Sequence, residues 1–100
     1  MTDLEICKRI AEIEKLNYVE IRGNVLASNG FSCDELYNPL TNNDLIFRLA
    51  FKRMVRIDYY DECVYVILAR ELSIHRFCKD NIKSLRRAIC LAIIKSMENK

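Results

Sequence analysis

The 100-residue chain has no Trp, one His, one Pro and only two Gly. Scarce Gly and Pro, with 51% apolar residues, exclude a low-complexity or disordered chain. A chain of this length is long enough for one modest hydrophobic core. The composition therefore predicts a single compact domain over residues 1–100.

Long apolar runs are also missing. The longest, Ala88 to Ile94, lies between Arg87 and Lys95 and is far shorter than the roughly 20 residues that a membrane-spanning helix needs. Near the N-terminus, Asp3 and Glu5 stand where a secretory signal would need a positive start and an apolar stretch. We therefore expect a cytoplasmic protein with no membrane partner.

Metal-binding and catalytic signatures are lacking. The five Cys are odd in number and none has Cys-x-x-Cys spacing, which favours buried free thiols in a reducing compartment over disulfides. His75 and Cys78 form one His-x-x-Cys pair, whereas a structural zinc site needs four ligands. No Gly-rich elbow accompanies that pair to support nucleophilic catalysis. We expect no metal, no cofactor and no enzymatic activity.

The first half of the chain reads as a helix followed by a hairpin. Thr2 and Glu5 have capping-box spacing, and apolar residues then recur at helical intervals to about Leu16. Residues 18–22 alternate as a strand, Gly23-Asn24 is a tight-turn dipeptide, and residues 25–28 return as a second strand. Residues 29–41 form a long, partly apolar connection, which suggests a functional loop packed on the body.

The second half repeats this order. Asn42 or Asn43 is positioned to cap a second helix, and residues 55–60 and 63–69 read as a second hairpin. The apolar residues in 70–80 recur with neither helical nor strand periodicity, and this segment suggests a short edge strand plus loop. A last helix begins at Asp80 or Asn81. The predicted fold is α+β: a small, mostly antiparallel sheet of about four strands with three helices, in the order α-β-β-α-β-β-α, forming a two- or three-layer sandwich.

The apolar periodicity also predicts the core. Its members should be buried because they share one face of their helix or strand. They are Ile10, Ile13, Val19, Ile21, Leu45, Leu49, Val55, Ile57, Val66, Leu85, Ile89, Ala92 and Ile93.

Charge is unevenly distributed. Residues 1–50 hold five Lys and Arg against eight Asp and Glu, whereas residues 51–100 hold eleven against six. A basic half suits a nucleic-acid backbone, although a solvated basic face gives the same pattern. The cations that would bind phosphate in this alternative are Lys52, Arg53, Lys79, Lys83, Arg86 and Arg87.

Two apolar segments exceed what one small core requires. One is the loop around Phe31, Leu36 and Tyr37, and the other is the extra stripe on the last helix that includes Leu91 and Ile94. Packing in the hydrophobic core is the simpler, purely structural interpretation of each segment. The functional interpretation is a contact surface for another protein, with self-association through the last helix as a further option.

Three blocks of sequence resemble small bacteriophage proteins of the phage ABA-sandwich domain type, which include NinX-like proteins. They are the opening Asp3-Leu4-Glu5-Ile6-Cys7-Lys8-Arg9-Ile10-Ala11-Glu12, the central Tyr37-Asn38-Pro39-Leu40-Thr41-Asn42 with Val55-Arg56-Ile57-Asp58-Tyr59, and the closing Leu85-Arg86-Arg87-Ala88-Ile89-Cys90-Leu91-Ala92. The family often has a Trp near the second hairpin, where this chain has Tyr65.

The resemblance implies a phage or prophage origin and an α/β sandwich, and it implies no activity. By analogy of origin, we expect a small non-catalytic module that binds a host or phage protein in the bacterial cytoplasm and inhibits or adapts a host machine such as a defence system. A nucleic-acid-binding protein that uses the basic half is the alternative, and a homo-oligomer remains open.

Overall fold

The structure is a computed structural model that describes residues 1–28, 35–60, 63–68, 73–77 and 82–98. Three helices are present in these ranges: α1 (Asp3–Ile13), α2 (Asn43–Lys52) and α3 (Ile82–Glu98). The predicted capping box is present at the N-terminus of α1, where the Thr2 hydroxyl accepts a hydrogen bond from the Glu5 amide at 3.2 Å. Asn42, one of the two predicted caps, accepts from the Leu45 amide at 3.1 Å and begins α2.

Within the same ranges, six strands form two antiparallel sheets. The first sheet has the order β1 (Asn17–Ile21), β2 (Asn24–Ser28), β3 (Glu35–Leu36). The second has the order β4 (Val55–Tyr60), β5 (Cys63–Leu68), β6 (Ser73–Phe77).

The predicted α+β class, its three helices and its antiparallel pairing are confirmed. The strands number six in two sheets rather than about four in one, because β3 and β6 each add to a predicted hairpin. β6 lies inside the segment predicted as a short edge strand plus loop.

The first hairpin turns one residue earlier than predicted. Ile21 pairs with Asn24, so the two turn residues are Arg22 and Gly23, with φ of 52° and 77°. Positive φ at both positions is the geometry that matches the twist of a two-residue hairpin, and Gly adopts it without strain. Asn24 consequently belongs to β2.

The core lies where α1 and α3 meet. Ile6 and Ile10 of α1 and Ile89 and Ile93 of α3 are buried, and α3 also contacts α2. The first sheet packs on α1, the second on α3 and, at β4, on α2.

Most of the predicted core is confirmed. The fully buried members are Ile10, Leu49, Val66, Ile89, Ala92 and Ile93. Partly buried members packed against them are Ile13, Leu45, Val55 and Leu85.

Val19 and Ile21 were wrongly predicted as core, because β1 presents its other face to α1. Tyr18 donates from its hydroxyl to a Glu12 carboxylate oxygen at 2.7 Å, and Glu20 forms an ion pair with Lys8 at 3.0 Å. The flank of α1 that meets this edge strand is polar, so it selects the polar face of β1. The alternating pattern of the strand was correct and its orientation was inverted.

Ile57 was also wrongly predicted as buried. It pairs with Val66, which is buried, and therefore shares the inner face of the second sheet. β4 is an end strand, however, and the helices leave 38% of Ile57 exposed. Within the described ranges, no helix is long and apolar enough to cross a bilayer.

We expect Ile89→Asp to unfold the domain. A carboxylate at a position with no solvent exposure would cost about 5 kcal/mol, comparable to the whole stability of a small domain. Ile82→Asp, the same change at the exposed start of α3, is the matched control. Circular dichroism during heating tests this, and cooperative melting of Ile89→Asp at the wild-type temperature would contradict the placement of α3.

Candidate protein-interaction surface

The outer face of the first sheet carries a continuous apolar row. Tyr18 and Ala27 are paired and face α1, so the next residues along each strand point the opposite way. Val19 pairs with Leu26, and Leu26 pairs with Leu36 on the other side. We call Val19, Leu26 and Leu36 the outer row. It crosses all three strands over roughly 10 Å.

The outer row is open to solvent. The exposed fractions are 45% for Val19 and 58% for Leu36, while Leu26 is half-buried. The neighbouring cross-strand pair on one side, Asn17 with Ser28, is polar. The pair on the other side, Ile21 with Asn24, adds one more apolar side chain that is 49% exposed. An exposed apolar patch of this kind is typical of a surface that binds another protein.

Beside the outer row, Leu36 also borders a groove of about 330 Å³ between the first sheet and α2. Leu16 and Leu45 contribute apolar side chains to it, and Arg48 and Glu35 contribute charged ones. Leu36 thus stands where a flat apolar face meets a concave one, which gives a partner both contact area and a point of insertion.

The predicted protein-contact residues fall into different environments. Leu36 is exposed on the outer row, and Leu91 is half-buried. Tyr37 and Ile94 are buried in the core, because the turn after β3 and the inner face of α3 direct them inward, so core packing describes these two residues. Phe31 lies outside the described residues.

Tyr37 is held in the core and is not available for contacts with another protein. Its amide donates to the Val25 carbonyl at 2.8 Å, which extends the pairing of β2 beyond β3. Its ring is buried, and its hydroxyl has no hydrogen-bond partner within the described part of the chain. Burial, with a smaller effect from Glu14, raises the pKa of Tyr37, so the phenol stays neutral.

A second exposed apolar surface lies at the junction of α2 and β4. Phe51 is 86% exposed and Met54 is 71% exposed, and both stand just before the exposed Ile57 along the chain. We call Phe51, Met54 and Ile57 the α2–β4 rim. The sequence pattern assigned Ile57 to the core, and its periodicity gave no sign that this rim is exposed.

The predicted cations at the end of α2 are engaged within the chain. Lys52 donates to Glu14 at 3.0 Å, and Arg53 donates both to Glu14 and to the Ile13 carbonyl. The Glu14 side chain is only 8% exposed. Burial raises the pKa of its carboxyl, but the hydrogen bonds from Arg53 and Lys52 outweigh burial and hold that pKa below its ordinary value.

The predicted cations of α3 are also used internally. Arg86 donates to the Leu40 carbonyl and to Asn43 at 2.6 Å each, at the start of α2. Arg87 donates to Asp3 at 2.6 Å and to the Met1 carbonyl at 2.7 Å. Arg86 and Lys52 therefore stand at opposite ends of a ten-residue helix, about 15 Å apart.

The predicted cations consequently form two separated clusters rather than one patch. Lys83 is exposed on the first turn of α3, and Lys79 lies outside the described residues.

Two thiols of the core are chemically quiet. Cys7 and Cys90 are buried and free, as predicted for them. Burial raises the pKa of both thiols, to about 12 for Cys90. Because the thiolate is the nucleophile, neither side chain is reactive at neutral pH. Cys78, the partner of the His75 pair, lies outside the described residues.

Comparison with protein-family models, with curated proteins and with solved structures found no match to the chain.

We expect Glu14→Gln to lower the free energy of unfolding at pH 7 by about 1–3 kcal/mol, because Lys52 and Arg53 lose their shared carboxylate. A pKa held below 4.5 in the folded state means that this contribution is present above about pH 5 and is lost as the pH falls through the folded value. Glu14→Gln should therefore flatten the decline in stability as the pH falls below about 5.

Urea unfolding at several pH values measures this effect. Glu20→Gln, which removes the exposed ion pair with Lys8, is the matched control and should cost less than about 0.5 kcal/mol. Equal costs for the two variants would show that Glu14 does not hold α1 to α2.

Proposed function

We propose that this protein is a non-catalytic protein-binding module and that the outer row is its contact surface. The observation that carries the proposal is the cross-strand line of Val19, Leu26 and Leu36, exposed on a sheet whose opposite face is packed on α1. The alternating sequence of β1 is that of a strand with one buried face. A bound partner would supply that burial.

Simple energetics supports this use of the surface. Val19 and Leu36 are about half exposed, so burying each against a partner contributes roughly 1–2 kcal/mol. Fixed strands lose little backbone entropy on binding, because the sheet already holds the row in place. A surface of this kind suits a moderate-affinity contact in which Leu36, at the end of the row beside the groove, is inserted into the partner.

The resemblance of three sequence blocks to phage ABA-sandwich proteins extends the proposal to biology. We assign the chain a phage or prophage origin and a role in the cytoplasm of a bacterial host. There it inhibits or adapts a host machine by occupying a surface, and a defence system is one such target. The α+β fold of the chain agrees with this assignment at the level of fold class.

Nucleic-acid binding is the weaker candidate. Lys52, Arg53, Arg86 and Arg87 already donate to oxygen atoms of the chain. Phosphate binding would have to compete with these contacts, and the two clusters stand at opposite ends of α2. An exposed apolar row has no role in binding a phosphate backbone.

The test is affinity capture from a bacterial lysate, with and without nuclease, using wild type and a Val19→Lys, Leu36→Lys double variant. We expect the wild type to retain one stoichiometric protein after nuclease treatment and the double variant to lose it. Two lysines placed in the row would each have to be buried on binding, which is strongly unfavourable.

Ile82→Lys is the matched control, because Ile82 has the same exposed fraction as Val19, 45%, and lies on α3. If the double variant captures the protein as well as the control variant does, the outer row is not the contact surface. Bound material that disappears with nuclease, and that weakens steeply with salt, would replace protein binding by the nucleic-acid alternative.

A further inference from the structure

The free edge of β4 is a second surface on which another molecule can bind. Within the described strands, β4 stands at the end of its sheet and pairs only with β5. It contains six residues and no Pro, so its outward N–H and C=O groups can pair with another strand. The α2–β4 rim places Phe51 and Met54, two strongly exposed apolar side chains, immediately before this edge.

We infer that the occupant of this edge is a second copy of the chain. The two β4 strands would pair antiparallel across a two-fold axis at Ile57, joining two three-stranded sheets into one of six strands. This interface is separate from the outer row, which belongs to the other sheet. Its failure therefore leaves the proposed function intact, and the reverse also holds.

The face of the sheet to which each side chain points limits the registers in which two β4 strands can pair. In a continuous sheet, residues directly opposite one another point to the same face. Ile57 faces inward with Val66, while Arg56 and Asp58 face outward. For both inner faces to lie on the same side of the sheet, the axis must therefore pass through a residue position and not between two residues.

Strand overlap and charge then select one register: an axis at Ile57 or Asp58 pairs five residues of each β4, whereas an axis at any other residue pairs three or fewer. An axis at Arg56 would set this cation opposite itself, and an axis at Asp58 would set this anion opposite itself. Like charges directly opposite destabilise a strand pair. Only the axis at Ile57 sets Arg56 of one copy opposite Asp58 of the other, twice, and joins the two Ile57 side chains on the inner face.

The geometry of the two charges within one chain fits this register. Arg56 and Asp58 already form an ion pair within one chain, with the nearest nitrogen and oxygen atoms 2.9 Å apart. They therefore share the outer face and extend side by side. In the dimer, the same four groups form an alternating square of two cations and two anions.

The same register accounts for the rim. It sets Val55 of one copy opposite Tyr59 of the other, at the two ends of the paired segment. Phe51 and Met54 are strongly exposed and precede Val55 along the chain, so they lie beside each end of the strand pair. The apolar rim that is open in the single chain becomes the flank of the interface.

The test is analytical ultracentrifugation of the full chain at several concentrations. Wild type should sediment at twice the 11.8 kDa of one chain as concentration rises. Arg56→Asp and Asp58→Arg should each raise the dimer dissociation constant by about tenfold or more, because two attractive cross-strand pairs become repulsive. Arg22→Asp, an equal charge reversal in the β1–β2 turn, should leave it unchanged.

Two combinations distinguish this register from a general charge effect or a folding defect. The double variant Arg56→Asp, Asp58→Arg exchanges the two charges and should dimerise like wild type. An equimolar mixture of the two single variants should form heterodimers, because one copy then carries two anions and the other two cations. Circular dichroism confirms that every variant is folded.

Three results would overturn the inference. One is a wild-type protein that stays monomeric at about 1 mM, where a specific dimer with even millimolar affinity would be visible. The second is a dimer that both single variants leave intact. The third is a dimer that the single variants disrupt but that neither the exchanged double variant nor the mixture restores.

Discussion

The contact between α1 and α3 is the constraint on which the rest of the structure depends. Ile6 and Ile10 meet Ile89 and Ile93 in a core without solvent exposure. Each helix also supports one of the two sheets, so the α1–α3 contact is what makes a single domain of two small sheets. Small sheets of this kind depend for their stability on a packed apolar face, which α1 and α3 supply here.

This arrangement explains why the molecule has open surfaces. Each sheet has helices on its inner face, and the first sheet leaves Val19 and Leu36 outside. The second sheet leaves an edge at β4. The described part of the chain has three helices with which to cover two sheets, so apolar surface remains for contacts with other molecules.

The sequence predicted the parts of the fold that depend on local chemistry. The capping box at Thr2, the Asn42 cap and the burial of Ile89, Ala92 and Ile93 on α3 follow from spacing within one element, and all are confirmed. The orientation of β1 depends on the polar flank of α1, a tertiary contact that an alternating strand cannot reveal. For the same reason the sequence identified Leu36 as a contact residue but not its neighbours on the outer row. The sequence also gave no indication that Glu14 binds Lys52 and Arg53, because these residues are far apart along the chain.

The central claim is that Leu36 touches another protein, and photo-crosslinking inside bacteria tests it most directly. A photoreactive amino acid is placed at position 36 in one strain and at position 82 in another, because both side chains are exposed. We predict one discrete covalent adduct from position 36 and none from position 82. Absence of an adduct at position 36, or the same diffuse ladder from both positions, would contradict the account.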